Sequence, residues 1–314
     1  MKKQYWLAAY TIFCWGTLPA VTKLTLTNIS NMQVLFISSL IAAGCLYIYL
    51  FASGRIRLFH ALTDSDVWQL IGLGFLGNFL YSAFYFASLR LLPSTDACVI
   101  NYLWPIVATV CAAVILHEKI EAAELAAVLL SFAGVAVIST KGSGIALMNM
   151  RGILLCIAGA VCYGVFNVLN KKKGVDQLLC TAVYFTVTAV CSAPILLVNG
   201  DIAPMSGVTW AGMLWLSVFI DALAIFAWGA ALQMSEVGFL SNLAYLTPVV
   251  AMVISYITLR EPIESYAMIG MLLVLGGCFL QIFSKKRADS AKIYGDRIKK
   301  LGENKKKITA SKKR

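Results

Sequence analysis

The chain has 314 residues, 60% of them apolar and 13% charged, against about 25% charged in soluble domains. That balance excludes an ordinary water-soluble protein and points to a chain solvated largely by lipid. The formal charge of +11 is not a nucleic-acid signal, because from Lys285 onward 13 Lys and Arg stand against three acids, leaving the rest of the chain nearly neutral.

Apolar runs near the ~20 residues that cross a bilayer as helix follow one another from the start. They cover roughly 5–25, 31–52, 67–89, 94–116, 121–140, 152–170, 178–198, 208–232, 238–259 and 264–284. Transmembrane β-strands would instead alternate over about ten residues. The expected fold is therefore an all-α membrane protein with ten transmembrane helices. The first run is long and lacks a small-residue cleavage site, so it reads as a span rather than a signal peptide. "NIS" at 28–30 matches a glycosylation acceptor but occupies a very short loop. In the third run "GLGFLG" at 72–77 satisfies GxGxxG literally; with no strand before it, close helix packing is the better reading.

The fourth run contains "NYLWPIVATVCAAVILHEKIE", 101–121, and the ninth repeats the design as "AYLTPVVAMVISYITLREPIE", 244–264. Sliding 89–140 onto 232–283 needs no gap and pairs Tyr102/Tyr245, Leu103/Leu246, Pro105/Pro248, Glu118/Glu261, Glu121/Glu264 and Gly134/Gly277. A shift of 148 pairs Cys14/Cys162, Trp15/Tyr163, Gly16/Gly164 and Lys23/Lys171, and the third and eighth runs pair Trp68/Trp210, Asn78/Asp221, Tyr85/Trp228 and Leu89/Leu232. Each half thus holds five spans. Five is odd, so the second copy enters the membrane from the opposite side, and the halves are inverted repeats of the kind that build secondary transporters. The expected units are 1–140 and 141–284, followed by a basic tail, 285–314.

Lys2, Lys3, Arg55, Arg57, Lys119, Lys171, Lys172, Lys173 and the tail fall on one side if the amino terminus is cytoplasmic. The positive-inside rule selects that orientation, with both termini in the cytoplasm. Tyr294, Ile298 and Leu301 share one helical face in the tail, which suits it to anionic lipid as well as to a solvated segment. No nucleic-acid partner is expected.

Ten spans in a five-plus-five duplication, with Tyr-Leu-x-Pro followed about 13 residues later by Glu, resemble the EamA branch of the drug/metabolite transporter superfamily. "INYLWP" at 100–105, "AYLTPV" at 244–249, "FAWG" at 226–229 and "NKK" at 170–172 are most similar to bacterial aromatic amino acid exporters of the YddG type. The resemblance implies ten helices around a central cavity, a cytoplasmic-membrane location in a bacterium, and outward movement of amino acids. Asp221 departs from that pattern, standing where those exporters are expected to carry an apolar residue.

Asp221 lies mid-span, where insertion of an ionised Asp costs about 2.5 to 3.5 kcal/mol, so it must face protein or a water-filled cavity. At α-helical spacing it shares a face with Ser217 and Trp228, while its mate Asn78 shares one with Tyr81, Ser82 and Tyr85. The functional reading is a central substrate site, with Asp221 holding an ammonium or a coupling proton; the other is an interhelical hydrogen bond. Trp15, Asn101, Tyr102, Trp104, Tyr163, Trp228 and Tyr245 add aromatic and amide groups that suit stacking or cation–π contact, about 0.5 to 2 kcal/mol each. The faces of Thr11, Trp15 and Thr22, and of Tyr163, Asn167 and Asn170, turn polar in equivalent helices. Pro105 and Pro248 each remove a backbone hydrogen bond and are candidate hinges. Glu118 and Glu261, beside Lys119 and Arg260, are candidate gate or interfacial contacts. Asp96 reads as a helix-amino-terminal carboxylate, and Lys23 as a snorkelling side chain.

The nine cysteines all lie within apolar runs, without CxxC or a histidine cluster, so neither metal nor disulfide is expected, and no cofactor. With no Walker motif, a substrate, proton or counter-substrate gradient must drive movement. The leading reading is a secondary transporter of amino acids, aromatic ones among them, or related small metabolites, as monomer or homodimer. An organic cation or amine carrier with Asp221 as counter-charge is the alternative. A membrane enzyme is disfavoured, because the two histidines, His60 and His117, lie in separate loops; a membrane scaffold anchored by its tail is the other non-transporting reading.

Overall fold

The structure is a computed structural model and describes residues 3–26, 29–92, 97, 100–140, 149–173, 175–200, 202–260 and 263–284. Glu261, Asp96, Asn28 and the basic tail lie outside the described residues. Among the described residues the regular elements are helical. They are α1 Lys3–Thr25, α2 Asn31–Ala52, α3 Asp64–Leu89, α4 Trp104–Ile115, α5 Ala122–Ser139, α6 Met150–Lys173, α7 Gln177–Asn199, α8 Gly207–Gln233, α9 Val237–Leu259 and α10 Ser265–Ser284. Seven of these are long and apolar enough to cross a membrane by themselves, and α4 and α5 are shorter apolar helices. Polar caps begin several of them. Ser30 accepts from the Gln33 amide, Thr63 and Asp66 form a reciprocal capping box, Asp176 accepts from Leu178 and Leu179, and Ser206 accepts from Thr209. Each satisfies amides that the first turn leaves without an intrahelical partner.

Three helices depart from regular winding, and two of the departures are equivalent. A π-helical turn occupies Phe75–Leu80 in α3 and another Leu216–Ala224 in α8, so the mates Asn78 and Asp221 both sit in i→i+5 winding. α9 breaks between Val237–Leu243 and Leu246–Leu259, three residues before Pro248, and the chain entering α4 turns at Tyr102 and Leu103, just before Pro105. These turns are also repeat mates.

The contacts exchange in the same way. α1 packs on α8 and α9, and α6 packs on α3 and α4; α2 lies against α7 and α8, and α3 against α7. Glycines show it at atomic detail. A Cβ on Gly16 would meet Val250 Cγ1 at 2.6 Å, and one on Gly164 would meet Val107 Cγ1 at 2.7 Å; Gly16/Gly164 and Val107/Val250 are both repeat pairs. A Cβ on Gly134 would lie 2.6 Å from the Gly270 carbonyl, and one on Gly277 would lie 2.6 Å from that of Ala127, the same exchange between α5 and α10. Small residues here let helix backbones approach, the form of attraction left to helices already solvated by lipid. Large apolar side chains such as Phe51, Trp68, Leu197 and Val198 point outward, as a lipid-facing surface requires.

Gly134→Leu is expected to lower stability by at least ~2 kcal/mol, because the added side chain meets backbone rather than a movable side chain. Gly44→Ala, where a Cβ meets nothing within 4 Å, is expected to stay within ~1 kcal/mol of the parent. Thermal unfolding in detergent compares the two.

Candidate functional site

α1, α3, α4, α6 and α8 converge on a continuous cluster of rings. Trp15 lies 5.3 Å from Trp228, Trp228 5.9 Å from Trp104 with planes at 85°, Trp104 5.0 Å from Tyr163 at 81°, and Tyr163 4.7 Å from Tyr81. Tyr81 continues to Tyr85, and Tyr163 to Phe166 and Tyr184. Edge-on and tilted arrangements place positive ring edges against negative faces, worth about 0.5 to 1.5 kcal/mol per pair beyond burial. Trp104, Tyr163 and Trp228 are 4%, 6% and 2% exposed, so the rings expected to line a chamber are packed on one another.

Amides thread the cluster. The Trp228 indole donates to Asn167 Oδ1 at 2.8 Å, and the Asn167 amide donates to the Tyr163 carbonyl at 2.8 Å. Tyr184 donates to Asn170 Oδ1 at 2.9 Å, and Asn101 Nδ2 donates to the Tyr81 hydroxyl at 3.3 Å. Asn101 Oδ1 is buried with no hydrogen-bond partner. A buried unpaired acceptor carries a desolvation cost of about 1 to 3 kcal/mol, which a donor from a bound solute would relieve.

Two predicted groupings come apart. Tyr102 and Tyr245 form their own pair, with ring centroids 6.0 Å apart and the Tyr245 hydroxyl donating to the Tyr102 carbonyl at 3.0 Å; Tyr245 packs with α5 and α10. Asp221 does not share its contacts with Trp228. The carboxylate is half-buried and accepts from Ser38 of α2, while Ser217 donates to the Met213 carbonyl. The cause is the π turn between Asp221 and Trp228, since i→i+5 winding adds a residue to a turn and rotates the remainder of the helix by about 100°. Counting by 3.6 across it aligns residues that the backbone has turned apart. Asn78 is buried in the matching turn of α3, whose Gly77 presses on Phe166, where a Cβ would lie 2.0 Å from the ring.

At one end of the bundle, ion pairs cross between the halves. Glu118 takes the Lys171 ammonium at 2.5 Å on one oxygen and the Val237 amide at 2.9 Å on the other, while Lys171 also donates to the Ser235 carbonyl at 2.7 Å. Lys173 pairs with Asp66 at 2.5 Å, and Arg55 pairs with Asp176. Glu118 therefore engages Lys171 rather than its sequence neighbour Lys119. A left-handed backbone at His117, φ 58°, turns it there, and the repeat mate Arg260 also has φ 58°. Non-glycine residues seldom adopt that conformation, and strain of this sort collects at functional positions. Sequence reasoning misses Lys171 as a site residue; its pairing with Lys23 in the repeat is the signal that marks it.

Bilayer-length helices, two halves with interchangeable contacts, and a shared aromatic core with a latch at one end define a polytopic membrane transporter. The chain belongs to the EamA-like transporter family, whose sequence model matches residues 2–140 and again 150–283. An uncharacterized transporter, YetK of Bacillus subtilis, is 26% identical over 283 residues, covering 88% of this chain and 85% of its own. The aromatic amino acid exporter YddG of Ancylobacter novellus is 25% identical over 224 residues, covering 70% of this chain and 78% of its own. A solved crystal structure shares the fold with a TM-score of 0.81 at 22% identity, over 88% of this chain and 96% of that one. These relatives are transporters, not enzymes.

A double-mutant cycle on Glu118→Gln and Lys171→Met is expected to give a coupling energy of about 1 to 3 kcal/mol, read from SDS-induced unfolding in micelles. A value indistinguishable from zero would reduce the pair to a chance surface contact.

Proposed function

We propose that the protein is a secondary transporter that exports amino acids, aromatic ones among them, or related small metabolites across the cytoplasmic membrane of a bacterium. In this reading ten spans form two inverted repeats, 1–140 and 141–284, with both termini and the 285–314 tail in the cytoplasm. The observation that carries the reading is the ring cluster built by equivalent helices of both halves, with the unpaired Asn101 Oδ1 at its edge. Rings that separate edge-on pairs to accept an aromatic or aliphatic side chain exchange one set of ring contacts for another, and Asn101 takes a donor from the solute. The similarity to the YddG exporter supports the same solute class.

Alternating access follows from the latch. With Glu118, Lys171, Asp66, Lys173, Arg55 and Asp176 paired across the halves, the cytoplasmic end is closed; release of those pairs, with bending at the turns before Pro105 and Pro248, opens it. Symmetry of contacts makes the two end states similar in energy, so modest binding energy shifts the population. An amine carrier would use a carboxylate among the rings, but Asp221 is engaged by Ser38 and the cluster's polar groups are amides. Asp221 is assigned instead to coupling between α8 and α2.

Proteoliposomes loaded with phenylalanine, tryptophan or a panel of other amino acids are expected to show saturable efflux, at least tenfold reduced in Trp228→Ala. Retention of every solute by the wild type would refute transport of this class. Asp221→Asn keeps an oxygen for Ser38 and is expected to remain folded while losing at least tenfold in flux; wild-type flux would confine Asp221 to packing.

A further inference from the structure

A threonine inside a helix commonly donates its hydroxyl to the carbonyl one turn back. Thr109, Thr181, Thr186 and Thr188 do so here. Thr247 does not. α9 breaks at Ala244 and Tyr245, so the carbonyl one turn back, that of Leu243, belongs to the other half of the helix. The Thr247 amide donates to the Ala244 carbonyl at 3.0 Å, whereas the hydroxyl, in a residue 7% exposed, is buried without a hydrogen-bond partner. An unpaired buried hydroxyl is a cost to the folded chain that a ligand can remove.

The repeat sets where Thr247 stands. Its mate is Trp104, and Ala244 is the mate of Asn101. Ala244 belongs to the buried cluster that holds Trp104, Tyr163 and Trp228, while Tyr245 and Val249 pack with α5 and α10. Thr247 follows Ala244 by three residues across a tight turn, as Trp104 follows Asn101, so it continues the side of α9 that faces the rings. The two breaks touch, because the Tyr245 hydroxyl donates to the Tyr102 carbonyl at 3.0 Å. Exchange of the halves carries Ala244 and Trp104 onto Asn101 and Thr247. Each half thus brings one unpaired oxygen, Asn101 Oδ1 or Thr247 Oγ1, to the same junction.

The two oxygens differ in kind. An amide oxygen only accepts, whereas a hydroxyl also donates. Thr247 lies, besides, in the first turn of Leu246–Leu259, a 14-residue helix that begins in the interior of the bundle. The amino end of a helix carries partial positive charge and suits an anionic group, and interrupted helices of transporters present such ends to a substrate carboxylate. We propose that Thr247 binds the carboxylate of the transported solute, its hydroxyl donating to a carboxylate oxygen, while Asn101 Oδ1 takes the solute's ammonium. This assignment rests on the amino acid reading and narrows it to solutes that carry both groups. A simple amine of the same side chain meets only half of the recognition.

The test is thermal unfolding of the full chain purified in detergent, titrated with phenylalanine, with phenethylamine, which lacks the carboxylate, and with hydrocinnamate, which lacks the ammonium. A solute that binds only the folded state raises the midpoint in a saturable manner. Phenylalanine is expected to do so, and each analogue to bind about tenfold more weakly or worse, because a site built to hydrogen-bond a group rejects the solute without it. Thr247→Val, which removes the hydroxyl and keeps the shape, is expected to weaken phenylalanine about tenfold or more and phenethylamine by less than about threefold. Thr247→Ser, which restores a hydroxyl, is expected to stay within about threefold of the wild type for phenylalanine. Equal affinity of Thr247→Val and the wild type for phenylalanine overturns the proposal and leaves the amino acid reading standing. A loss of the same size for phenylalanine and phenethylamine does likewise, because it assigns the hydroxyl to packing. Should Thr247→Val fail to fold, the wild type still tests the assignment: phenethylamine bound as tightly as phenylalanine overturns it. A wild type that answers to no amino acid overturns this assignment and the broader reading together, an outcome that efflux from proteoliposomes identifies separately.

Discussion

Hydrocarbon offers a peptide group no hydrogen-bond partner, so each departure from regular helix must occur where protein supplies one. The irregular turns of this chain obey that constraint. The turns at Tyr102 and Tyr245 face each other, and the hydroxyl of one closes on the carbonyl of the other. Beyond the first turn, Thr109 donates to the Pro105 carbonyl at 2.9 Å. At the end of the α8 π turn, Thr11 of α1 donates to the Ala224 carbonyl at 3.0 Å. Two of these three contacts join opposite halves of the chain.

Duplication doubles the scaffold more faithfully than the chemistry. Glycine-to-valine contacts between α1 and α9 recur between α6 and α4, and the glycine approaches of α5 and α10 recur with their roles exchanged. Such contacts depend on the distance between helix axes, and a single mismatched side chain would force the halves apart. Polar groups face no comparable requirement. Glu124, Asn242 and Gln281 have apolar mates, Asp221 is matched by Asn78, and Asn101 by Ala244. Repeat symmetry therefore extends to the helix packing and not to the polar side chains.

Electrostatics joins the two halves at one end. Glu118 satisfies a cation from one helix and the amide at the start of another with its two oxygens, so it joins α4, α6 and α9 through one side chain. Lys171 in turn holds the Ser235 carbonyl just before α9. Partly buried pairs with several hydrogen bonds are worth more than exposed ones.

Much of this architecture is legible in the sequence. Bilayer thickness sets span length, so the apolar runs predict most of the helices to within a few residues, the fourth excepted, where the expected run 94–116 meets a helix that begins only at Trp104; the gapless match of 89–140 to 232–283 marks Tyr102/Tyr245, Pro105/Pro248 and Gly134/Gly277 as equivalent without reference to any contact. Aromatic and amide residues inside spans, Trp15, Tyr163, Asn167 and Trp228 among them, are identifiable because polar groups in lipid need a reason. Tertiary structure alone decides which of these meet. Counting by 3.6 puts Asp221 with Trp228, yet the π turn of α8 separates their directions, and the carboxylate meets Ser38 instead. Likewise Glu118 engages Lys171 over the adjacent Lys119, because a left-handed turn at His117 and the approach of α6 determine what lies within reach. Composition and repeat specify elements and their pairing through local, additive rules; which side chains touch depends on helix phase and position, and those are properties of the packed assembly.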